Sequence, residues 1–171
     1  YARALPLFRR AAEAGPDQAL PVLNIALVLS KTGEMQEALE ACDEALARLK
    51  NPVSRNERKI RAWILSTAAD AKIRNGQEAL RLLNTLKPLK NKVDVDLLDR
   101  YAAVYAELGD FDQAVDHEQR AIAAAKLQKA PALVLEEYEG RLMLYEQRQP
   151  CRTPRLGAQN PNKVGVATNP H

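Results

Sequence analysis

Apolar residues recur along most of this chain at alternating three- and four-residue steps, the spacing that places side chains on one face of an α-helix. The clearest stretch runs from Leu97 to Ile122. Tyr101, Ala102, Tyr105 and Leu108 make one stripe, Gly109 interrupts it, and Ala114, Val115, Ala121 and Ile122 resume it. Asp110 stands where an N-cap is needed, with Gln113 three residues on as the second half of a capping box. The pattern predicts a helical hairpin turning at Gly109. Upstream, Ile25, Ala26 and Leu29 precede Gly33, and Met35, Ala38, Leu39, Ala45 and Leu46 follow it, which predicts a second hairpin. A third begins with a capping box at Ser54 and Glu57 and continues through Ala62, Trp63 and Leu65. It passes through a long turn from Ala69 to Gly76, restarts at Asn75 and Glu78, and ends at Pro88. Tyr1 to Pro16 reads as one further helix, with Pro6 in its opening turn, and Val134 to Gln147 as a last one carrying Leu135, Tyr138, Leu142 and Tyr145. The fold class is all-α.

These segments share a register. Ala4, Ala38, Ala79 and Ala114, each followed by Leu or Val, lie 34, 41 and 35 residues apart. A helix-turn-helix unit repeating near 34 residues resembles the tetratricopeptide repeat (TPR) family. The pairing of AWILSTAADAKIRNGQEAL with LDRYAAVYAELGDFDQAV resembles a bacterial subtype with a long RNG turn. That subtype closes on a helix matched here by Arg141, Leu142, Leu144, Tyr145, Pro150 and Arg152, whereas Arg148 and Cys151 replace its glycine and tyrosine. The resemblance implies a right-handed superhelical stack of antiparallel hairpins, a TPR-like α-solenoid with a C-terminal capping helix. Its parts are a half repeat at 1–16, repeats at about 17–50, 54–90 and 94–127, and a cap at 132–148, making a repeat domain over 1–149. Residues 150–171, with four prolines, no acid and no periodicity, read as an irregular tail, flexible or a loosely docked extension, with a short recognition peptide as the alternative. The unpaired first helix implies an open apolar face suited to self-association and a natural polypeptide that continues upstream.

Composition supports helices and narrows function. Aromatic residues make up 5% of the chain, so packing falls to Ala and aliphatic side chains. The net charge of +3 comes from Arg152, Arg155 and Lys163; the preceding chain balances 22 bases against 22 acids. A neutral helical body argues against nucleic acid as a partner. Unbroken apolar runs such as Ile25 to Leu29 are far short of the ~20 residues a membrane span needs. The expected setting is soluble, cytoplasmic or periplasmic.

Little catalytic chemistry is written in the sequence. His117 lies between Asp116 and Glu118, but adjacent helical residues point about 100° apart and cannot converge on one ion, so it reads as part of a solvated face. Asp94, Asp96 and Asp99 cluster at a helix start, where capping and the helix dipole account for them. Cys42 reads as a buried thiol and Cys151 as a free surface thiol. No phosphate loop, nucleophile elbow or catalytic Cys/His spacing occurs, and no catalytic residue, metal or cofactor is expected.

What remains is binding. By the resemblance, the first helix of each hairpin lines a concave groove. The residues facing it are Leu20, Leu23, Asn24, Leu27 and Lys31; then Asn56, Lys59, Trp63 and Ser66; then Asp96, Asp99, Ala103 and Glu107. Such a surface grades from apolar to acidic and suits a protein or peptide partner with a hydrophobic anchor and a basic end. Trp63 reads either as a partly exposed anchor in that groove or as core wedged between repeats. Leu23, Leu27 and Asp96 stand where the carboxylate clamp of some chaperone-binding repeats needs polar or basic groups, so that activity is not expected. The functional expectation is a non-catalytic interaction scaffold; the alternative is a C-terminal accessory module of a larger enzyme such as a signalling kinase or hydrolase.

Overall fold

Two glycines with positive φ set the turns of the best-formed hairpins. Gly33 (φ 86°) ends α2, Ala19–Thr32, before α3, Met35–Arg48. Gly109 (φ 81°) separates α6, Val95–Glu107, from α7, Phe111–Leu127. Both lie in the left-handed region that a Cβ disfavours, and both are where the hydrophobic pattern breaks. The computed structural model describes residues 3–48, 55–87, 89–90 and 92–153. The capping serine expected at position 54, the closing proline at 88 and the chain beyond 153 lie outside these.

The described residues form eight helices and no strand. Besides those four helices they are α1, Leu5–Ala14; α4, Arg55–Thr67; α5, Gly76–Asn84; and α8, Ala132–Glu146. Residues 68–75 make the long turn between α4 and α5. The Asn75 side chain accepts a hydrogen bond from the Glu78 amide and so starts α5. Gly76 fits there for a different reason: a Cβ would come within 2.9 Å of Leu108 Cδ2 and make that side chain shift, so the first turn of α5 lies close against the side chains that end α6. Asp94 and Asp110 cap α6 and α7, accepting from the amides of Leu97 and Gln113.

The helices pack mainly on their chain neighbours, α1 on α2, α2 on α3, α4 on α5, α6 on α7 and α7 on α8. Superposed on this, α4 packs against both α2 and α6, so α2, α4 and α6 lie in sequence side by side. The core is divided accordingly. Val22, Ala26, Ala38, Cys42 and Ile64 form one cluster among α2, α3 and α4. Ala62, Ala79, Leu83 and Val104 form a second where α4, α5 and α6 meet. Tyr145 on α8 joins Ala102, Ala106 and Ala114 in a third. Small alanines at the contacts let the helix backbones approach closely, and α1 leaves Leu7 exposed on its outer side.

After α8 the chain does not run out into solvent at once. Arg148 takes φ 54°, in the left-handed region, and Gln149 donates to the Leu144 carbonyl at 2.8 Å. The chain is thereby turned back. Cys151 packs against the cluster around Tyr145, Arg152 donates to the Ser66 carbonyl at 3.1 Å, and the Thr153 amide donates to the Thr67 carbonyl at 2.9 Å. An isolated parallel β-bridge pairs Ala68 with Thr153. The last two carbonyls of α4, those of Ser66 and Thr67, are satisfied by the returning chain, while the Asn75 amide takes that of Leu65. Residues 150–153 are thus docked on the helices, and one expectation is corrected: Cys151 is a partly buried, packed thiol rather than a surface one.

Candidate functional site

The residues selected from sequence fall into three zones along α2, α4 and α6. At the N-terminal ends of these helices Leu23, Asn24, Leu27, Lys59 and Asp96 line one pocket of about 190 Å³, with Leu20 and Asn56 beside them and Ile60 and Arg100 added. Leu20 is 63% exposed at its edge. The pocket's charges are already matched. Lys59 Nζ lies 2.8 Å from Asp96 and 3.4 Å from Asp94, and Arg100 Nη2 lies 2.8 Å from Asp96. Burial works against the Asp96 carboxylate, but Arg100 and then Lys59 outweigh it and hold its pKa at about 2.

The middle zone is closed. Trp63 is 4% exposed, under three cations: the Arg100 guanidinium 4.5 Å from the ring centroid, Lys31 Nζ at 5.0 Å and the Arg141 guanidinium at 5.5 Å. Of its two readings, the structure places the indole inside rather than in the groove. Lys31, selected as a groove residue, reaches 3.8 Å from Glu137 on α8, and burial followed by the Arg100 charge lowers its pKa. Asp99 is buried between Arg100 and Arg141, accepting from Arg141 Nε at 2.7 Å, and Ala103 is buried as well. Neither is open to a partner.

At the C-terminal ends the returning chain occupies the surface. Ser66 is buried beneath Arg152, and Glu107 is held by Arg152 Nη2 at 2.6 Å and Arg74 Nε at 3.0 Å. The acidic half of the expected gradient is thus not available to a basic partner: Asp96, Asp99 and Glu107 are all neutralised by the chain's own arginines and lysines.

Sequence reasoning missed what closes the middle zone. Glu118 on α7 is fully buried, its Oε1 3.5 Å from Arg141 Nε. Burial, then the Asp99 charge, push its pKa up to about 9 against the pull of Arg141 and Arg100. A signal existed: Glu118 lies four residues after Ala114 and three before Ala121, on the buried stripe of its helix. Trp63 Nε1, Arg100 Nε, Arg141 Nη2 and the Tyr145 hydroxyl are also buried and find no hydrogen-bond partner among the described residues.

Among the described residues no three His, Cys, Asp or Glu side chains come together as a metal site, and no helix is long and apolar enough to cross a membrane. No protein-family model matches the chain, and neither do curated protein sequences or solved structures. The functional reading therefore rests on this geometry.

Proposed function

We propose that this chain is a non-catalytic interaction scaffold of the TPR-like kind, holding a protein or peptide partner in the groove along its first helices α2, α4 and α6. The observation that carries the reading is the open pocket at their N-terminal ends, where residues from three helices chosen by register alone meet in one recess. Leu23, Leu27 and Ile60 offer an apolar wall for one anchoring side chain, whose burial is worth ~1.5–3 kcal/mol. Asn24 and Asn56 supply amides suited to the backbone of an extended segment. Because Asp96 is paired with Lys59 and Arg100, the partner needs an apolar anchor and no basic end. The test is recovery of partner by immobilised Leu20→Asp and Leu27→Ala proteins, both retaining helical circular dichroism. Loss of recovery supports the groove; unchanged recovery from both variants removes it.

A further inference from the structure

A second recess, sharing no residue with the groove pocket, opens between the α5–α6 loop, α6 and α7. It encloses about 380 Å³, within the ~300–1,000 Å³ typical of ligand sites. Its origin is the shortness of α5. That helix ends at Asn84 after nine residues, and the chain then leaves helical register. Leu86, Leu97, Leu98 and Tyr101 therefore line a hollow. Tyr101 is fixed in place by a 3.1 Å hydrogen bond from its hydroxyl to Asn84, by stacking on Tyr105 at a centroid distance of 6.2 Å and by a tilted contact with the His117 ring at 5.5 Å.

The rim is basic. Arg55, Lys92, His117 and Arg120 line the recess, and Lys87 and Lys90 stand exposed in the same loop. Residues 85–93 contain three lysines and no acid, and none of the three pairs with a described carboxylate. The nearby acids are already held, Asp94 by Arg55 at 2.8 Å and by Lys59, and Asp116 by Arg120 at 3.0 Å. His117 Nδ1 is engaged with the Gln113 carbonyl at 2.9 Å, which leaves Nε2 for an incoming group.

We infer that this recess binds an acidic peptide segment through one inserted aliphatic or aromatic side chain, its flanking carboxylates meeting Lys92, Arg120 and the loop lysines. An apolar hollow whose loop carries three lysines without a described carboxylate partner, with Arg120 beside them, matches that chemistry on both counts. A lipid surface fits less well: Leu89 and Val93 stand exposed at the rim, but Leu86, Leu97 and Leu98, which form the hollow itself, are half-buried and do not protrude for insertion into a bilayer. The groove pocket, with its charges internally matched, does not share this preference.

The experiment uses the whole chain with ¹³C-labelled histidine and follows the His117 imidazole, assigned by its disappearance in His117→Gln. The probe is a capped ten-residue peptide of Glu and Asp with one central Leu. The inference requires a saturable shift of His117, weakened at least fivefold by Lys92→Glu with Arg120→Glu, at least fivefold by replacing the probe's Leu with Ser, and by added salt. Leu20→Asp must bind the probe as the unaltered chain does, so that failure of the groove reading and failure of this one are told apart. No saturable shift, or equal binding of the Ser probe, overturns the inference. Sedimentation of the chain with phosphatidylserine vesicles without any peptide-induced shift overturns it in favour of a lipid surface.

Discussion

Arg141 on α8 donates through Nε to Asp99 on α6 at 2.7 Å, with both side chains withdrawn from solvent. The same guanidinium lies over Trp63 and Tyr138 and 3.5 Å from Glu118. Four helices thus answer to one side chain. Replacing it leaves Asp99 and Glu118 buried with less compensation, and the loss of one partner from a buried pair costs about 3–5 kcal/mol. Arg141→Met should lower the unfolding free energy measured by urea denaturation by that amount; a change within ~0.5 kcal/mol would mean α8 docks by apolar contact alone.

Glu118 makes the fold sensitive to alkali. Its pKa in the folded chain is raised to about 9, so the folded state holds a proton that the unfolded state releases above its ordinary carboxyl value of 4.5. The stabilisation from that proton is complete below about pH 4.5 and is lost as pH climbs toward 9. Glu118→Gln should therefore match the unaltered chain near pH 4.5 and exceed its melting temperature increasingly between pH 6 and 9. Parallel melting profiles would place the ionisation elsewhere.

Trp63 separates folding from binding. Because the indole is 4% exposed, Trp63→Ala removes core and should cost about 3–5 kcal/mol of stability, read by chemical denaturation. Leu20→Asp, at an exposed edge of the groove pocket, should leave stability within ~0.5 kcal/mol. If Trp63→Ala were as stable as Leu20→Asp, the cation-covered position of the ring would be wrong.

Arg148 pays in backbone strain for the turn that returns the chain. A non-glycine residue in the left-handed region costs ~1–2 kcal/mol, partly offset by the greater unfolded freedom of glycine. Arg148→Gly should raise stability by about 0.5–1 kcal/mol, seen as a melting temperature one to four degrees higher. Destabilisation would show that Arg148 contributes more through its side chain, 3.5 Å from Asp112, than it loses in backbone.

Neither thiol should react readily. Burial, followed by the Glu57 charge, pushes the Cys42 pKa up to about 12, and burial raises that of Cys151 to about 11. Native protein at pH 8 should take up Ellman's reagent far more slowly than unfolded protein at both positions. Rapid labelling of Cys151 would show that the returning segment lifts away from α8.

The helices were legible because each depends on local, periodic information. Gly33, Gly109 and Asn75 announce their turns through backbone and capping needs that involve a few neighbouring residues. The register of Leu23, Leu27, Lys59 and Asp96 was enough to bring them to one pocket. Exposure was not legible. Whether Trp63 faced solvent depended on Arg141, and whether Glu107 was free depended on Arg152, and no local pattern ties residues so far apart in sequence. The basic recess beside Tyr101 was hidden for a related reason: the shortening of α5 can be read from the chain, but the hollow it leaves appears only when α6 and α7 are set around it.

The bridge between Thr153 and Ala68 alters how the chain should fold. Helices that pack mainly on their chain neighbours form and fray one at a time, from the ends inward. The Thr153 hydroxyl meets that of Thr67 across 86 positions of sequence, and the Arg152 guanidinium reaches the Ser66 carbonyl over the same separation. Those long-range links close a loop over everything from α5 to α8, so α8 cannot peel off without releasing the end of α4. A chain of otherwise local contacts thereby gains a slow, non-local closing step and a more nearly all-or-none unfolding of its second half.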